Sequence, residues 1–348
     1  MTSEVLNRLS GKRIAIVGGA GFIGHNLALF LKKLGAEPHV IDGLQVNNLG
    51  YYSSGYIENE NAERYISFIE DRLSLLRALK VHLHVIDARD YHAISKTLSS
   101  IQPDVVIHLA AVAHANRSNK DPFSTFDHSL RTFENVLDAT RGSKAHVVYF
   151  SSSMVYGNFG GMPAHEDQRC EPLGIYGALK YGAEKLLIGY NQVFEIPFTI
   201  VRPSALYGER CVSRRVGQAF IENALTGRSL SINGDGSDLL DFTYIDDLIQ
   251  GVALTLLNPA AIGETFNITF GEGRSIKDLA KIIKDRFPDV QVQHRARDSF
   301  MPERGSLSIE KAKDLLGYNP EFGLERGFDE YLNWYEGFAL SRPDLFAS

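Results

Sequence analysis

Short, nearly continuous apolar runs alternate with amphipathic stretches through the first half of the chain. RIAIVGG (13–19) reads as a buried strand entering a turn, and EPHVID (37–42) as a second strand ending at Asp42. LHVID (83–87), PDVVIHLAA (103–111), HVVYFSSS (146–153) and PFTIVRP (197–203) repeat the pattern. Between the first two strands, FIGHNLALFLKKLG places its apolar residues at helical spacing and stops at Gly35, a residue suited to closing a helix. Val- and Ile-rich runs separated by helices predict an α/β fold with a doubly wound parallel sheet, covered on both faces.

One segment breaks the rhythm. Residues 44–80 begin polar and rich in Tyr, Gly and Asn, then become amphipathic in AERYISFIEDRLSLLRALK. They predict an inserted loop followed by a helix of about five turns. The tyrosines suit a pocket, a subunit contact or a solvated excursion. After Pro203 the elements shorten, through LSINGDG, FTYIDDLIQGVALTLL, ETFNITF, SIKDLAKIIKDRF and a final helix near 324–338. The expected division is a nucleotide-binding domain over 1–203, with segments returning at about 242–270. A smaller C-terminal α/β lobe for substrate takes 204–241 and 271–348, at the sheet's carboxyl edge, where open α/β sheets bind ligands.

The chain has 348 residues, a net charge of −6, 44% hydrophobic and 22% charged residues. That is ordinary for a soluble globular protein and gives no electrostatic case for nucleic acid or an anionic membrane. Two cysteines, Cys170 and Cys211, are too few for a disulfide framework. MTSEVLNRLSGKR lacks the apolar core of a signal peptide, and no apolar run has the length of a membrane span. A soluble cytoplasmic protein is expected.

GGAGFIG (18–24) joins the first strand to the first helix and spaces Gly18, Gly21 and Gly24 as G-x-x-G-x-x-G. Such a turn brings backbone N–H groups and a helix N-terminus to a pyrophosphate. Asp42 closes the second strand 18 residues after Gly24. A carboxylate there bonds both ribose hydroxyls and repels a 2′-phosphate, so NAD is expected over NADP. Asp87 is placed to reach the adenine edge. His108, His114 and His128 raise the question of a metal, but no carboxylate or thiol shares a ligand spacing with them, so none is expected.

In GIYGALKYGAEK (174–185), Tyr176 and Lys180 lie four residues apart. On a helix they share a face. A nearby cation stabilises phenolate and brings the phenol, with its ordinary pKa near 10, toward use as a base at neutral pH. The fifth strand delivers SSSMVYG (151–157) to the carboxyl edge ahead of this helix. GGAGFIG, Asp42, HLAA, SSSMVYG, Tyr176-x-x-x-Lys180 and RPSALYG (202–208), in that order, resemble the extended short-chain dehydrogenase/reductase family, nearest to its NAD-dependent epimerases and dehydratases of nucleotide sugars. GDGSDLLDFTYIDDL (234–248) and IEKAKDLLGYNPEFGLERGF (309–328) are similar to its later motifs.

The resemblance implies a Rossmann-type fold with NAD as cofactor. Tyr176 would be the base and Lys180 the holder of the nicotinamide ribose, with Ser152 bonding the reacting hydroxyl and Ser153 as the neighbouring alternative. Phe22, Ile23, Ala88, Leu109, Ala110, Ala111 and Arg202 would join the glycines, Asp42, Asp87, Tyr176 and Lys180 around the cofactor. Ala113, Ser153 and Met154 would face substrate. A homodimer is implied, through helices in 118–140 and 174–195, with Phe123, Phe126 and Phe133 as contacts or as core.

The resembled dehydratases carry Asp-Glu after the catalytic hydroxyl, where this chain has Ser153 and Met154. Simple 4-epimerisation needs no further acid or base, so a nucleotide-sugar 4-epimerase working through a transient keto sugar is expected. The alternatives are a dehydratase using Glu166 or Asp167, a dehydrogenase or reductase, a 3,5-epimerase using Cys170 or Cys211, and an NAD sensor without catalysis. Ala205 and Leu240 replace a usual Asn and Arg near the substrate diphosphate. Arg214 or Arg215, in GERCVSRRVGQAF, is expected to supply that grip, with Arg304 as a second candidate, since guanidinium suits phosphate.

Overall fold

The computed structural model describes residues 7–54, 60–112, 115–297 and 302–346. Six strands, β1 (Arg13–Val17), β2 (Glu37–Asp42), β3 (His82–Val85), β4 (Val105–His108), β5 (His146–Phe150) and β6 (Phe198–Arg202), join the edge strand Glu264–Asn267 in one seven-stranded sheet. From that edge the order is β6, β5, β4, β1, β2, β3, and each pairing is parallel. Every residue of β4 and β6 is buried, which is why these runs read as continuously apolar. The strand order reverses beside β1, and a crevice opens there past the carboxyl ends. Val17 is level with both Ile41 and His108, so Gly18, Asp42 and Leu109 emerge together.

The third strand ends at Val85, before Asp87. Asp87 instead forms a turn, its Oδ1 accepting the Arg89 N–H at 2.9 Å.

Insertion residues 62–78 form a 17-residue helix, Ala62–Ala78, that is far from solvated. Tyr65, Phe68, Ile69 and Leu76 are buried. Phe68 packs on Trp334 and Phe338 of the Leu324–Ser341 helix, with ring centroids 4.9 and 4.8 Å apart. The Tyr65 hydroxyl donates to Glu222 at 2.8 Å, and the Tyr52 hydroxyl to the Val212 carbonyl at 2.8 Å. These tyrosines therefore fasten the insertion to the C-terminal half. That half adds three two-stranded ladders, of which Leu239–Asp241 with Gly273–Ser275 is antiparallel. The Ile245–Leu257 helix buries Leu248, Ile249 and Val252.

Candidate active site

Gly18, Gly21, Phe22, Ile23 and Gly24 form one wall of the crevice. Gly18 has φ +81°, and a Cβ there would lie 2.6 Å from the Ala110 nitrogen, so only glycine lets the turn approach the strand beside it. The Phe22–Lys33 helix starts at Gly21 with no side chain capping it, leaving its first N–H groups for an anion. Leu109, Ala110 and Ala111 form the opposite wall, and Asp42, Asp87 and Ala88 the far end.

Asp42 accepts the Ala20 N–H at 3.0 Å and the Leu44 N–H at 2.7 Å. Burial raises its pKa, and these two N–H groups with Arg72 pull it back. Each oxygen retains a lone pair for a ribose hydroxyl. Asp87 is raised by burial, yet Arg89 and Gln45 outweigh that and bring it down to about 2. A glycine cradle that a Cβ would fill, an uncapped helix start and a carboxyl group at the ribose end fit NAD.

Tyr176 and Lys180 lie on the 21-residue Gly174–Phe194 helix. Between them, Gly177 lets the helix settle on the turn after β5: a Cβ there would sit 2.8 Å from the Met154 carbonyl oxygen. This contact brings Tyr176 to Ser152. Burial raises the pKa of the phenol, while Arg215, the Ser152 hydroxyl and Arg304 lower it, in that order. The Lys180 ammonium is buried and donates to the Phe150 carbonyl at 2.6 Å. Desolvation lowers its pKa to about 7, and Glu184 alone opposes this. Thus the cations acting on the phenol are the two arginines, and Lys180 is turned toward the strand end. Burial, then Arg215, lowers Arg304 to about 10.

Ser152, Tyr176 and Lys180 are not on the crevice wall, but Arg215 lines the crevice and also acts on Tyr176. The adjacent Arg214 turns away. Its φ of +46° reverses the chain, and its guanidinium pairs with Glu60 at 3.4 Å and Glu222 at 3.5 Å. Its guanidinium is thus engaged in a salt-bridge cluster. Arg202, expected at the cofactor, is not among the residues that line the crevice. It is buried off the crevice, bonding Glu184 through two nitrogens at 2.7 and 2.9 Å and Tyr156 through a third at 3.0 Å. Its surplus of donors is used inside the protein.

Ser153 is buried, its hydroxyl donating to Ser204 at 3.2 Å, while Met154 is half-buried beside it. Ala113 and His114 lie outside the described residues. Ala205 has φ +33°, a left-handed conformation that Asn tolerates better than Ala. His108 is buried against Phe133 and Tyr149, and burial, then Lys180, lowers it to about 3. Among the described residues no group of three or more His, Cys, Asp or Glu is arranged for a metal.

Arg72 and Gln45, which the sequence did not single out, also line the crevice, as does His128, which it raised only as a possible metal ligand. Arg72 had a visible signal. It falls on the buried stripe Tyr65, Phe68, Ile69, Arg72, Leu76 of its helix, where a charge is out of place.

A dinucleotide crevice beside a Tyr–Ser pair and a lysine one turn away defines an NAD-dependent enzyme of the short-chain dehydrogenase/reductase type. Residues 14–269 match the NAD dependent epimerase/dehydratase family, and the chain belongs to it. It is 29% identical over 335 residues to UDP-glucose 4-epimerase of Mycolicibacterium smegmatis, covering 93% of this chain and 98% of that one. It is 30% identical over 331 residues to an uncharacterized UDP-glucose epimerase, YtcB, of Bacillus subtilis, covering 90% and 95%. The crystal structure of UDP-glucuronic acid 4-epimerase from Bacillus cereus, with UDP-glucuronic acid and NAD, superposes with a TM-score of 0.82 at 27% identity, covering 94% of this chain and 99% of that one.

Proposed function

We propose that the enzyme inverts C4 of a nucleotide sugar. The observation that carries this is the surroundings of Tyr176: among the described residues, the groups that act on its phenol are Arg215, Ser152 and Arg304, with no carboxylate among them. Eliminating water requires a further acid or base at the oxidised sugar. Here the Ser153 hydroxyl is bound to Ser204, and the Glu166 carboxylate accepts the Asn267 N–H at 2.7 Å. The similarity to a UDP-glucose and a UDP-glucuronic acid 4-epimerase supports the same reading.

Bound NAD supplies reversible hydride acceptance. Tyr176 takes the proton of the C4 hydroxyl, helped by the guanidinium groups of Arg215 and Arg304, and returns it after the keto sugar has turned over. Ser152 donates to the same oxygen and stabilises the developing carbonyl. Arg215, between crevice and phenol, is the proposed grip on the diphosphate. Gly18, Gly21 and the uncapped helix start hold the cofactor pyrophosphate, while Asp42 holds its ribose.

The same proposal includes a homodimer, supported by apolar side chains left exposed on adjacent helices. Phe123 is 80% and Phe126 41% exposed, and Leu173 and Ile175 lie on the start of the Tyr176 helix side. Phe133 is fully buried and belongs to the core. No described helix is long and apolar enough to cross a membrane, and both cysteines are unpaired, which agrees with a cytoplasmic home.

The test is incubation of the purified protein with a panel of nucleotide sugars, without added cofactor, followed by mass spectrometry and NMR. An isomer of unchanged mass, inverted at C4, is expected. Loss of water, or turnover that consumes added NAD stoichiometrically, would replace the epimerase with a dehydratase or a dehydrogenase.

A further inference from the structure

The Ala62–Ala78 helix of the insertion carries Arg72, whose side chain is completely buried. Its Nε and Nη2 both donate to the Arg210 carbonyl, the former at 3.0 Å. Its Nη1 is buried and has no hydrogen-bond partner among the described residues. Arg72 also forms part of the crevice wall, together with Gly18, Gly24 and Asp42. A buried guanidinium N–H left unbonded is costly, and the neighbouring cation Arg210 adds to the cost. The group is therefore built for an acceptor that arrives from the crevice.

We propose that Arg72 is the side-chain ligand of the cofactor's pyrophosphate, delivered by the insertion to a turn otherwise built from backbone N–H groups. This rests on NAD as the cofactor. The chemistry selects the pyrophosphate. Asp42 accounts for the ribose hydroxyls, and the pyrophosphate is attached to the same ribose. It is anionic, and a guanidinium N–H bonds phosphate oxygen strongly. The other two donors of Arg72 fix its position. They hold Arg210, which has φ +60° and bonds His25 through Nε at 3.2 Å. His25 in turn bonds the Gly21 carbonyl at 2.9 Å. Arg72 thereby ties the glycine turn, the cofactor and the start of the segment that carries Arg215.

The experiment is calorimetric titration of cofactor-stripped wild-type, Arg72→Gln and Arg72→Lys proteins with NAD, NADP, ADP-ribose and adenosine. In Arg72→Gln, NAD and ADP-ribose should weaken by about 10- to 100-fold, the range of a charged hydrogen bond. Adenosine, which lacks the pyrophosphate, should bind as before. Arg72→Lys should show a smaller loss with the same selectivity, and it carries the test alone should the Gln variant not fold. Unchanged affinity for ADP-ribose would overturn the proposal, leaving a water as the partner of Nη1. An equal loss for adenosine would overturn it in favour of a purely structural arginine. A loss confined to NADP would move Arg72 to the 2′ side of the ribose. If the wild type binds no NAD, the family assignment of the cofactor fails first, which is a different result.

Discussion

Glu184 and Arg202 meet beneath the catalytic helix in a two-nitrogen ion pair, at 2.7 and 2.9 Å, with side chains 2% and 6% exposed. Glu184 lies one turn beyond Lys180 and also accepts the Ser151 hydroxyl, so the pair fixes the helix to the end of β5. Removing one partner from a buried pair strands the other charge and costs about 3–5 kcal/mol. Glu184→Gln and Arg202→Met should each lower stability by that order in urea unfolding. The double variant Glu184→Gln/Arg202→Met should lose clearly less than the sum. Additive losses would show that the two residues act independently.

Tyr176→Phe removes only the hydroxyl from a partly buried ring. Turnover should fall by about 10²- to 10⁴-fold, the usual loss on deleting a general base, while NAD content and melting temperature stay at wild-type values. Ser152→Ala should act in the same direction, since it removes a donor that pulls the phenol down. A Phe variant with wild-type turnover would place the base elsewhere.

Lys180 gives the cofactor-free protein a pH signature. Its pKa, about 7 in the folded chain, lies below the ordinary lysine value near 10.4. Between the two the unfolded chain binds the extra proton, so stability rises with pH across roughly 7 to 10, by up to about 1.4 kcal/mol per pH unit. Below pH 7 both states are charged and the slope vanishes. Urea unfolding of wild type and Lys180→Met over this range should differ by that rising slope. Parallel curves would mean an ammonium with an ordinary pKa.

The sheet and the crevice were legible because their signals are local. Glycine spacing, a strand-ending Asp42 and runs of Val and Ile each report on one element. The arginines were less legible because their roles depend on which way the chain turns. Arg214 and Arg215 are neighbours, and the left-handed φ at Arg214 sends one toward Glu222 and the other toward Tyr176. Arg202 closes a strand like a ligand-facing residue, but its partner Glu184 comes from a helix that only the folded sheet brings near. The insertion read as polar at its start, and its buried stripe mattered more than its composition.

Gly177 tests how tightly the site depends on helix position. A Cβ there would lie 2.8 Å from the Met154 carbonyl oxygen and 3.1 Å from the Pro172 Cβ. The first neighbour is backbone and the second a stiff ring, so the helix itself must move. Alanine otherwise favours helix by about 1 kcal/mol over glycine. On propensity alone Gly177→Ala would therefore be stabilising. The close contact should reverse the sign, with a net loss of about 1–3 kcal/mol, as for other overpacked sites. Because the same contact sets Tyr176 against Ser152, turnover should fall about 10²-fold, the scale associated with a 1 Å displacement of reacting groups. NAD content should be retained, since the crevice walls lie elsewhere. Gly182→Ala, on the same helix with nothing within 4 Å of its Cβ, supplies the control and should gain stability without losing activity. If the two variants behaved alike, the packing of this helix on the Met154 turn would not be what holds Tyr176 in place.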